Sequence, residues 1–295
     1  MKTKTIFTGA ATALITPLNE NGIDYEKFGA LVEWQIASGI DALVVCGTTG
    51  ESPALDDKEH LDAIKFVVDK TAGRVPVIAG TGSNDTAYAI HLTQEAEAMG
   101  ADAALLVTPY YNKATQRGLV KMYSAIAEST NLPMILYNVP SRTGVGIEPA
   151  TYAELADVKN ITAIKEANGN ISKIVETMAL VKDKLDLYSG NDDQIVPLMS
   201  LGAKGVISVL SNPMPTQTHE LCAKCLAGDF AGASKMQYNL LPFINALFSE
   251  VNPIPVKSAM AKMGFCENYL RLPLCEMDSV KEAKMFDIMK GLGLI

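Results

Sequence analysis

The residue best placed to do chemistry in this chain is Lys165. It closes the apolar run Ile161-Thr162-Ala163-Ile164 and is followed by Glu166-Ala167-Asn168-Gly169-Asn170, the Gly/Asn punctuation of a strand end. A lysine taken alone is usually a solvated surface group. A primary amine desolvated by apolar neighbours is different: it loses its preference for the ammonium form and becomes a nucleophile toward carbonyls. The apolar run before it leads into Tyr137-Asn138-Val139-Pro140-Ser141-Arg142-Thr143-Gly144. One strand away from Lys165, Tyr137 is a candidate proton-transfer group and Arg142 a candidate fork for a carboxylate.

Other strand ends add to the set. Cys46-Gly47-Thr48-Thr49-Gly50-Glu51-Ser52 has two glycines bracketing two threonines. Such a turn either presents backbone N–H groups and hydroxyls to a small anion or is a plain strand–helix loop. Thr108-Pro109-Tyr110-Tyr111-Asn112 places paired tyrosines on a loop, which suits interface packing as well as function. Ser189-Gly190-Asn191-Asp192-Asp193 offers acids and exposed backbone, and loop capping accounts for these as readily as catalysis. His219, Cys222 and Cys225 could share a helix face, but one CxxC without a second pair does not make a metal site, and none is expected. His60 and His91 read as helix-face histidines. Neither a nucleophile elbow nor a phosphate-binding P-loop is present in the sequence.

The elements that must position these groups alternate. Candidate strands are Gly9–Ile15, Ala42–Val45, Val77–Ala79, Ala103–Val107, Met134–Tyr137, Ile161–Lys165, Leu185–Ser189 and Gly205–Val209. Amphipathic stretches separate them. Asp24 opens one that Gly39 stops, Asp56-Asp57 opens one closing near Gly73, and Asn84-Asp85 opens one ending at Gly100. Alternation of this kind predicts parallel strands with helices outside, and its count of eight closes a (β/α)8 TIM barrel, whose catalytic groups gather at the carboxyl ends of the strands. An open doubly wound sheet is the runner-up, but Gly80-Thr81-Gly82 lacks the third glycine of the dinucleotide fingerprint. The expected division is a catalytic barrel over 1–229 and a helical extension over 230–295. In the extension, Phe230–Glu250, Val256–Met263 and Val280–Leu292 read as helices broken by Pro253-Ile254-Pro255.

Composition narrows the class. The chain has 295 residues, 48% hydrophobic and 20% charged, with 22 Gly and 14 Pro, which is ordinary globular usage with ample material for a core. Acids outnumber Lys plus Arg by 33 to 25, for a net charge of −8, which argues against nucleic acid or an anionic membrane as partner. No sustained apolar region follows Met1-Lys2-Thr3-Lys4-Thr5, so no signal peptide is expected, and no apolar stretch reaches spanning length. Five cysteines in so long a chain fit a reducing cytosol, so the expected location is cytoplasmic.

Taken in order, Gly47-Thr48-Thr49-Gly50-Glu51, Tyr137-Asn138-Val139-Pro140-Ser141-Arg142-Thr143-Gly144 and Ile164-Lys165-Glu166-Ala167 closely resemble the dihydrodipicolinate synthase family, within the class I aldolase superfamily of N-acetylneuraminate lyase. The similarity runs from Gly9-Ala10 to Asn252-Pro253-Ile254-Pro255-Val256-Lys257 and Leu270-Arg271-Leu272-Pro273. It implies that Lys165 forms a Schiff base with pyruvate, and that the resulting enamine attacks aspartate 4-semialdehyde to give 4-hydroxy-tetrahydrodipicolinate in lysine and diaminopimelate biosynthesis. By the same resemblance Tyr137 shuttles protons relayed through Thr48 and Tyr111, the latter reaching in from a neighbouring subunit. Thr49, with backbone from Gly190 and Ile207, would hold pyruvate, and Arg142 the carboxylate of the second substrate. No cofactor or metal is implied, because the imine is itself the electron sink. The family suggests a homotetramer built as a dimer of dimers.

Two alternatives stay open beside that reading. The first is a sugar-acid aldolase such as N-acetylneuraminate lyase on the same machinery. Thr48 (where such lyases typically carry Ser), the Pro109-Tyr110-Tyr111 run and Arg142 favour the synthase. The second is a barrel that has lost turnover and only binds pyruvate or regulates. The resemblance also brings a departure. Lysine-inhibited relatives use the equivalents of Ser52, Pro53, Asp57, His60, Asn84, Tyr88 and Tyr110, but carry glutamate at position 88 and often histidine at 57. Here these are Tyr88 and Asp57, so weak or absent lysine inhibition is expected.

Overall fold

In the computed structural model, which describes residues 5–295, the strands are β1 (Gly9–Ala13), β2 (Ala42–Val45), β3 (Val77–Gly80), β4 (Ala103–Val107), β5 (Met134–Asn138), β6 (Ile161–Glu166), β7 (Asp186–Ser189) and β8 (Gly205–Ser208). They pair in parallel in chain order, and β8 closes on β1. The expected (β/α)8 barrel is therefore the fold. The N-terminal stretch searched for a leader lies largely outside the described residues.

Helices α1 (Tyr25–Ala37), α2 (Asp57–Thr71), α3 (Thr86–Ala98) and α4 (Gln116–Glu128) follow the first strands, and α5 (Pro140–Thr143), α6 (Pro149–Leu155), α7 (Ile171–Val181), α8 (Ile195–Ser200) and α9 (Pro215–Leu226) complete the ring. The start signals act as caps. Asp24, Asp56 and Asp85 accept from the amides of Lys27, Glu59 and Ala87, and Glu59 returns the bond to Asp56 in a capping box. Losing one such cap costs about 1 kcal/mol. Gly39 (φ 84°) and Gly100 (φ 88°) supply the left-handed residue that ends α1 and α3.

Strand side chains alternate between two cores. Ala11, Val44, Leu105, Ile135, Tyr137 and Tyr188 point into the barrel, whereas Leu43, Val45, Leu106, Leu136, Ile164 and Leu187 pack under the helices. Both faces are buried, which is why the strands read as continuous apolar runs. Alanines at 11, 13, 42, 103 and 163 keep the inner layer small, leaving the middle of the upper rim to larger side chains from β5 to β7.

The structure corrects three details. β1 stops at Ala13 instead of Ile15, because the Ile15 amide turns away to donate to Asn212 Oδ1 (3.1 Å). A two-residue hairpin, Leu18–Asn19 against Gly22–Ile23, precedes α1 and carried no apolar run to announce it. In the extension, α10 (Phe230–Leu247) ends short of Glu250, α11 (Ile254–Lys262) starts two residues before Val256, and α12 (Ser279–Gly291) starts at Ser279. Pro255 does not break α11, since it sits in the first turn, where the missing N–H has no intrahelical partner to lose. The α10 helix packs on α8, α9 and α12. Residues Ile254 to Met260 of α11 are buried all round, marking it as an internal helix.

Candidate active site

Parallel register brings the two central groups together. Tyr137 on β5 stands opposite Lys165 on β6, and Lys165 stands opposite Tyr188 on β7. Lys165 is 6% exposed, and its Nζ lies 4.0 Å from the centroid of the Tyr137 ring. Burial drives the amine down to about 7, with Arg142 adding to the fall and Asp192 opposing it. Burial pushes the Tyr137 phenol above its ordinary value, against the pull of the Arg142 charge and of a hydrogen bond with Thr48. At neutral pH the site thus holds an amine with a substantial uncharged fraction beside a protonated phenol.

The Gly47–Gly50 turn follows β2. The Gly50 amide donates to Gly47 O (3.0 Å), and Thr16 Oγ1 donates to Gly50 O (2.7 Å). Thr48 lines the cavity and bonds Tyr137, while the buried Thr49 takes a hydrogen bond at Oγ1 from Asn252 Nδ2 (3.0 Å). Left-handed backbone at Cys46 (φ 54°) and Glu51 (φ 56°) bounds the turn. Backbone strain of this kind concentrates at functional sites.

A cavity of about 150 Å³ is walled by Lys165, Tyr137, Thr48, Thr49, Arg142, Gly190, Val209, Phe248 and Asn252, among others. A larger one of about 570 Å³ shares Thr48, Tyr137 and Arg142 and continues past Ser52, His60, Tyr88 and Tyr110. Gly190 joins the wall because nothing larger fits: a Cβ there would stand 2.8 Å from Ala167 Cβ and 3.1 Å from Glu166 O. Ile207 is buried in the inner core, and Val209, two residues on, forms the wall of the cavity on that side. Tyr111 is held at φ 69° with 92% exposure and lines neither cavity, so one subunit does not bring it to Tyr137.

Asp192, which the sequence left between capping and chemistry, is buried and accepts from the amides of Val209 (3.1 Å) and Leu210 (2.9 Å) and from the Ser208 hydroxyl. It fixes the loop that carries Val209 and places a carboxyl near Lys165. Phe248 and Asn252 were missed by sequence reasoning. They come from the extension, more than 80 residues beyond Lys165, and no local pattern marks them. His219 is engaged through Nδ1 with Asp41 (2.8 Å), and Cys222 and Cys225 are buried in the outer core. His60 Nε2 meets Gly80 O at 2.8 Å.

Comparison with known proteins identifies the family and the fold. The model of the Dihydrodipicolinate synthetase family matches residues 6–292. The 4-hydroxy-tetrahydrodipicolinate synthase of Lachnoclostridium phytofermentans is 56% identical over 292 residues, covering 98% of this chain and 99% of that one. The enzyme of the same name from Acetivibrio thermocellus is 52% identical over 99% of both chains. Among solved structures, the dihydrodipicolinate synthase of Aquifex aeolicus superposes with a TM-score of 0.96 at 47% identity, over 98% of this chain and 99% of that one. The chloride-inhibited dihydrodipicolinate synthase of Acinetobacter baumannii, complexed with pyruvate, superposes with a TM-score of 0.96 at 43% identity, over 99% and 100%. With its family match spanning nearly every residue and a buried lysine on the sixth barrel strand, the chain belongs to the dihydrodipicolinate synthetase family.

Proposed function

We propose that this chain condenses pyruvate with aspartate 4-semialdehyde to 4-hydroxy-tetrahydrodipicolinate, a step of lysine and diaminopimelate biosynthesis. The observation that carries the reading is Lys165: a lysine sealed at a barrel rim, its amine brought down to about 7, next to a protonated tyrosine. The neutral amine attacks the C2 carbonyl of pyruvate. Tyr137 gives its proton to the departing hydroxyl, so water leaves and the iminium forms. The Tyr137 phenolate then takes a methyl proton, and the iminium accepts the electron pair as an enamine. That carbon attacks the aldehyde of the second substrate, and Tyr137 returns the proton to the new alkoxide. Finally the substrate's own amino group displaces Lys165 at C2, closing the heterocycle and freeing the enzyme.

In this reading Thr48 and Tyr111 relay the Tyr137 proton to solvent. The exposure of Tyr111 supports its acting on the neighbouring subunit, within a homo-oligomer proposed as a tetramer of paired dimers. Thr49, with backbone at Gly190 and Ile207, holds the pyruvate unit. A cavity of about 150 Å³ is the size that accepts benzene, which like pyruvate has six heavy atoms. Arg142 forks the carboxylate of the semialdehyde from the exposed side. The reading keeps a catalytic barrel over 1–229 and an extension over 230–295, with the extension contributing to the site, because Phe248 and Asn252 wall the same cavity. Among the described residues no helix is long and apolar enough to cross a membrane, and a cytoplasmic location fits a biosynthetic enzyme with free cysteines.

The test has two arms. Borohydride reduction in the presence of pyruvate should leave a stable mass adduct on Lys165. Pyruvate should then turn over with aspartate 4-semialdehyde in preference to acetylmannosamine. Preference for the sugar assigns the chain to the sugar-acid aldolases, and absence of an adduct assigns it to the non-catalytic binders.

A further inference from the structure

Directly after the Thr48-Thr49 turn, Glu51 is 2% exposed and holds a left-handed backbone (φ 56°) that glutamate rarely adopts. Its side chain is committed at both oxygens to the far end of the sequence. Oε1 meets the ammonium of Lys257 on α11 in an ion pair whose two side chains are wholly inaccessible to solvent. Oε2 accepts from the amide of Arg271 (3.3 Å). Arg271 in turn donates to Ala54 O (2.8 Å), just past the turn, and forks Glu59 at 2.5 and 2.6 Å. The Glu51 amide donates to Thr48 O (3.2 Å), so any shift of Glu51 is felt at once by the residue that bonds Tyr137.

A buried ion pair is a poor device for stability alone, because desolvating both charges consumes most of what their attraction returns, and well-packed apolar side chains serve as well or better. Its geometry is another matter. A carboxylate bonded at both oxygens has one position, and here that position sets a strained turn. We propose that Glu51 and Lys257, clamped by Arg271, are positioning residues that set the Thr48-Thr49 turn at the height needed for pyruvate capture. The pair touches neither substrate; it acts through Thr48 and Thr49. The inference rests on the reading of Lys165 as a pyruvate-capturing lysine.

The experiment uses three full-length proteins: wild type, the double variant Glu51→Gln/Lys257→Met, and Glu51→Asp. Removing one charge alone would strand the other in the interior, whereas the double variant removes both. Aspartate is at ease in left-handed backbone, so Glu51→Asp keeps the fold and the charge and shortens the reach by one methylene. The thermal midpoint and the pyruvate concentration for half-maximal borohydride trapping at Lys165 are measured for each.

The expected result is that Glu51→Asp melts cooperatively near the wild-type midpoint, yet needs at least ~10-fold more pyruvate for half-maximal trapping, with a reduced turnover that saturating pyruvate does not restore. The double variant should show the same defect whenever it folds. Trapping at wild-type pyruvate concentrations by either folded variant overturns the proposal and leaves the pair structural. If the double variant does not fold, Glu51→Asp decides alone; if that too is unfolded, the pair is a folding requirement and the positioning role is overturned. Failure of wild type to trap pyruvate at all would instead count against the underlying function.

Discussion

Lys165 and Tyr137 are register partners on adjacent parallel strands, and that pairing is what puts the lysine nitrogen 4.0 Å from the tyrosine ring centre. The sheet fixes the two backbone positions, and both side chains are buried there. The closeness also explains their opposite electrostatic fates: one dry environment makes the amine easier, and the phenol harder, to deprotonate.

Replacing Lys165 by methionine should abolish trapping by pyruvate and cut turnover by several orders of magnitude, while raising stability by on the order of a few kcal/mol at neutral pH. The unfolded lysine keeps its proton to about 10.4, whereas the folded one releases it near 7. Between those values the unfolded chain binds more protons, so wild-type stability rises with pH across the window. The advantage of Lys165→Met is therefore full below pH 7 and shrinks toward pH 10. Denaturant midpoints at pH 6.5 and pH 9.5 check both the sign and the slope.

The acid limb of Schiff-base formation should report on the Lys165 amine. Arg142 lowers that amine and Asp192 raises it. Arg142→Gln should accordingly move the acid limb of pyruvate trapping to higher pH, and Asp192→Asn to lower pH. Shifts in the same direction, or none, would mean that the limb belongs to another group.

Thr48→Val keeps shape but loses the hydroxyl bonded to Tyr137. Turnover should fall about 10- to 100-fold, at or below the low end of what a positioned proton-transfer group contributes, because Tyr137 itself remains. The half-saturating pyruvate concentration should change much less. Steady-state kinetics separate the two.

Tyr111 offers a subunit-mixing test. Tyr111→Phe and Lys165→Ala proteins, each nearly inactive, should regain activity when unfolded and refolded together. In a mixed pair one site then has an intact lysine and receives an intact tyrosine from its neighbour. Recovery no greater than the sum of the two parents would place Tyr111 in its own subunit's chemistry.

Lysine should inhibit weakly or not at all. Where sensitive relatives are expected to carry a glutamate, Tyr88 hydrogen-bonds Asp57, and Asp57 also faces His91 at 3.3 Å. That carboxylate is engaged inside the subunit, and the position expected to pair an incoming amino group holds a phenol instead. Strong inhibition at sub-millimolar lysine would refute this.

Much of the molecule was legible in its order of residues. Apolar runs spaced by capped amphipathic stretches determine a parallel barrel, because each run needs cover on both faces and each Asp cap marks where a helix can start. The same pattern puts Lys165, Tyr137, Thr48 and Gly190 at strand ends, hence on one rim. The order of residues could not reveal how dry Lys165 is, since desolvation depends on the alanine-lined layer and the neighbouring strands that close over it. Nor could it reveal that Asn252 holds Thr49 and Lys257 holds Glu51, across separations of 203 and 206 residues. Periodicity reports only local environment; contacts between distant segments exist once the barrel has closed and the extension has docked, and they are what tertiary structure alone decided.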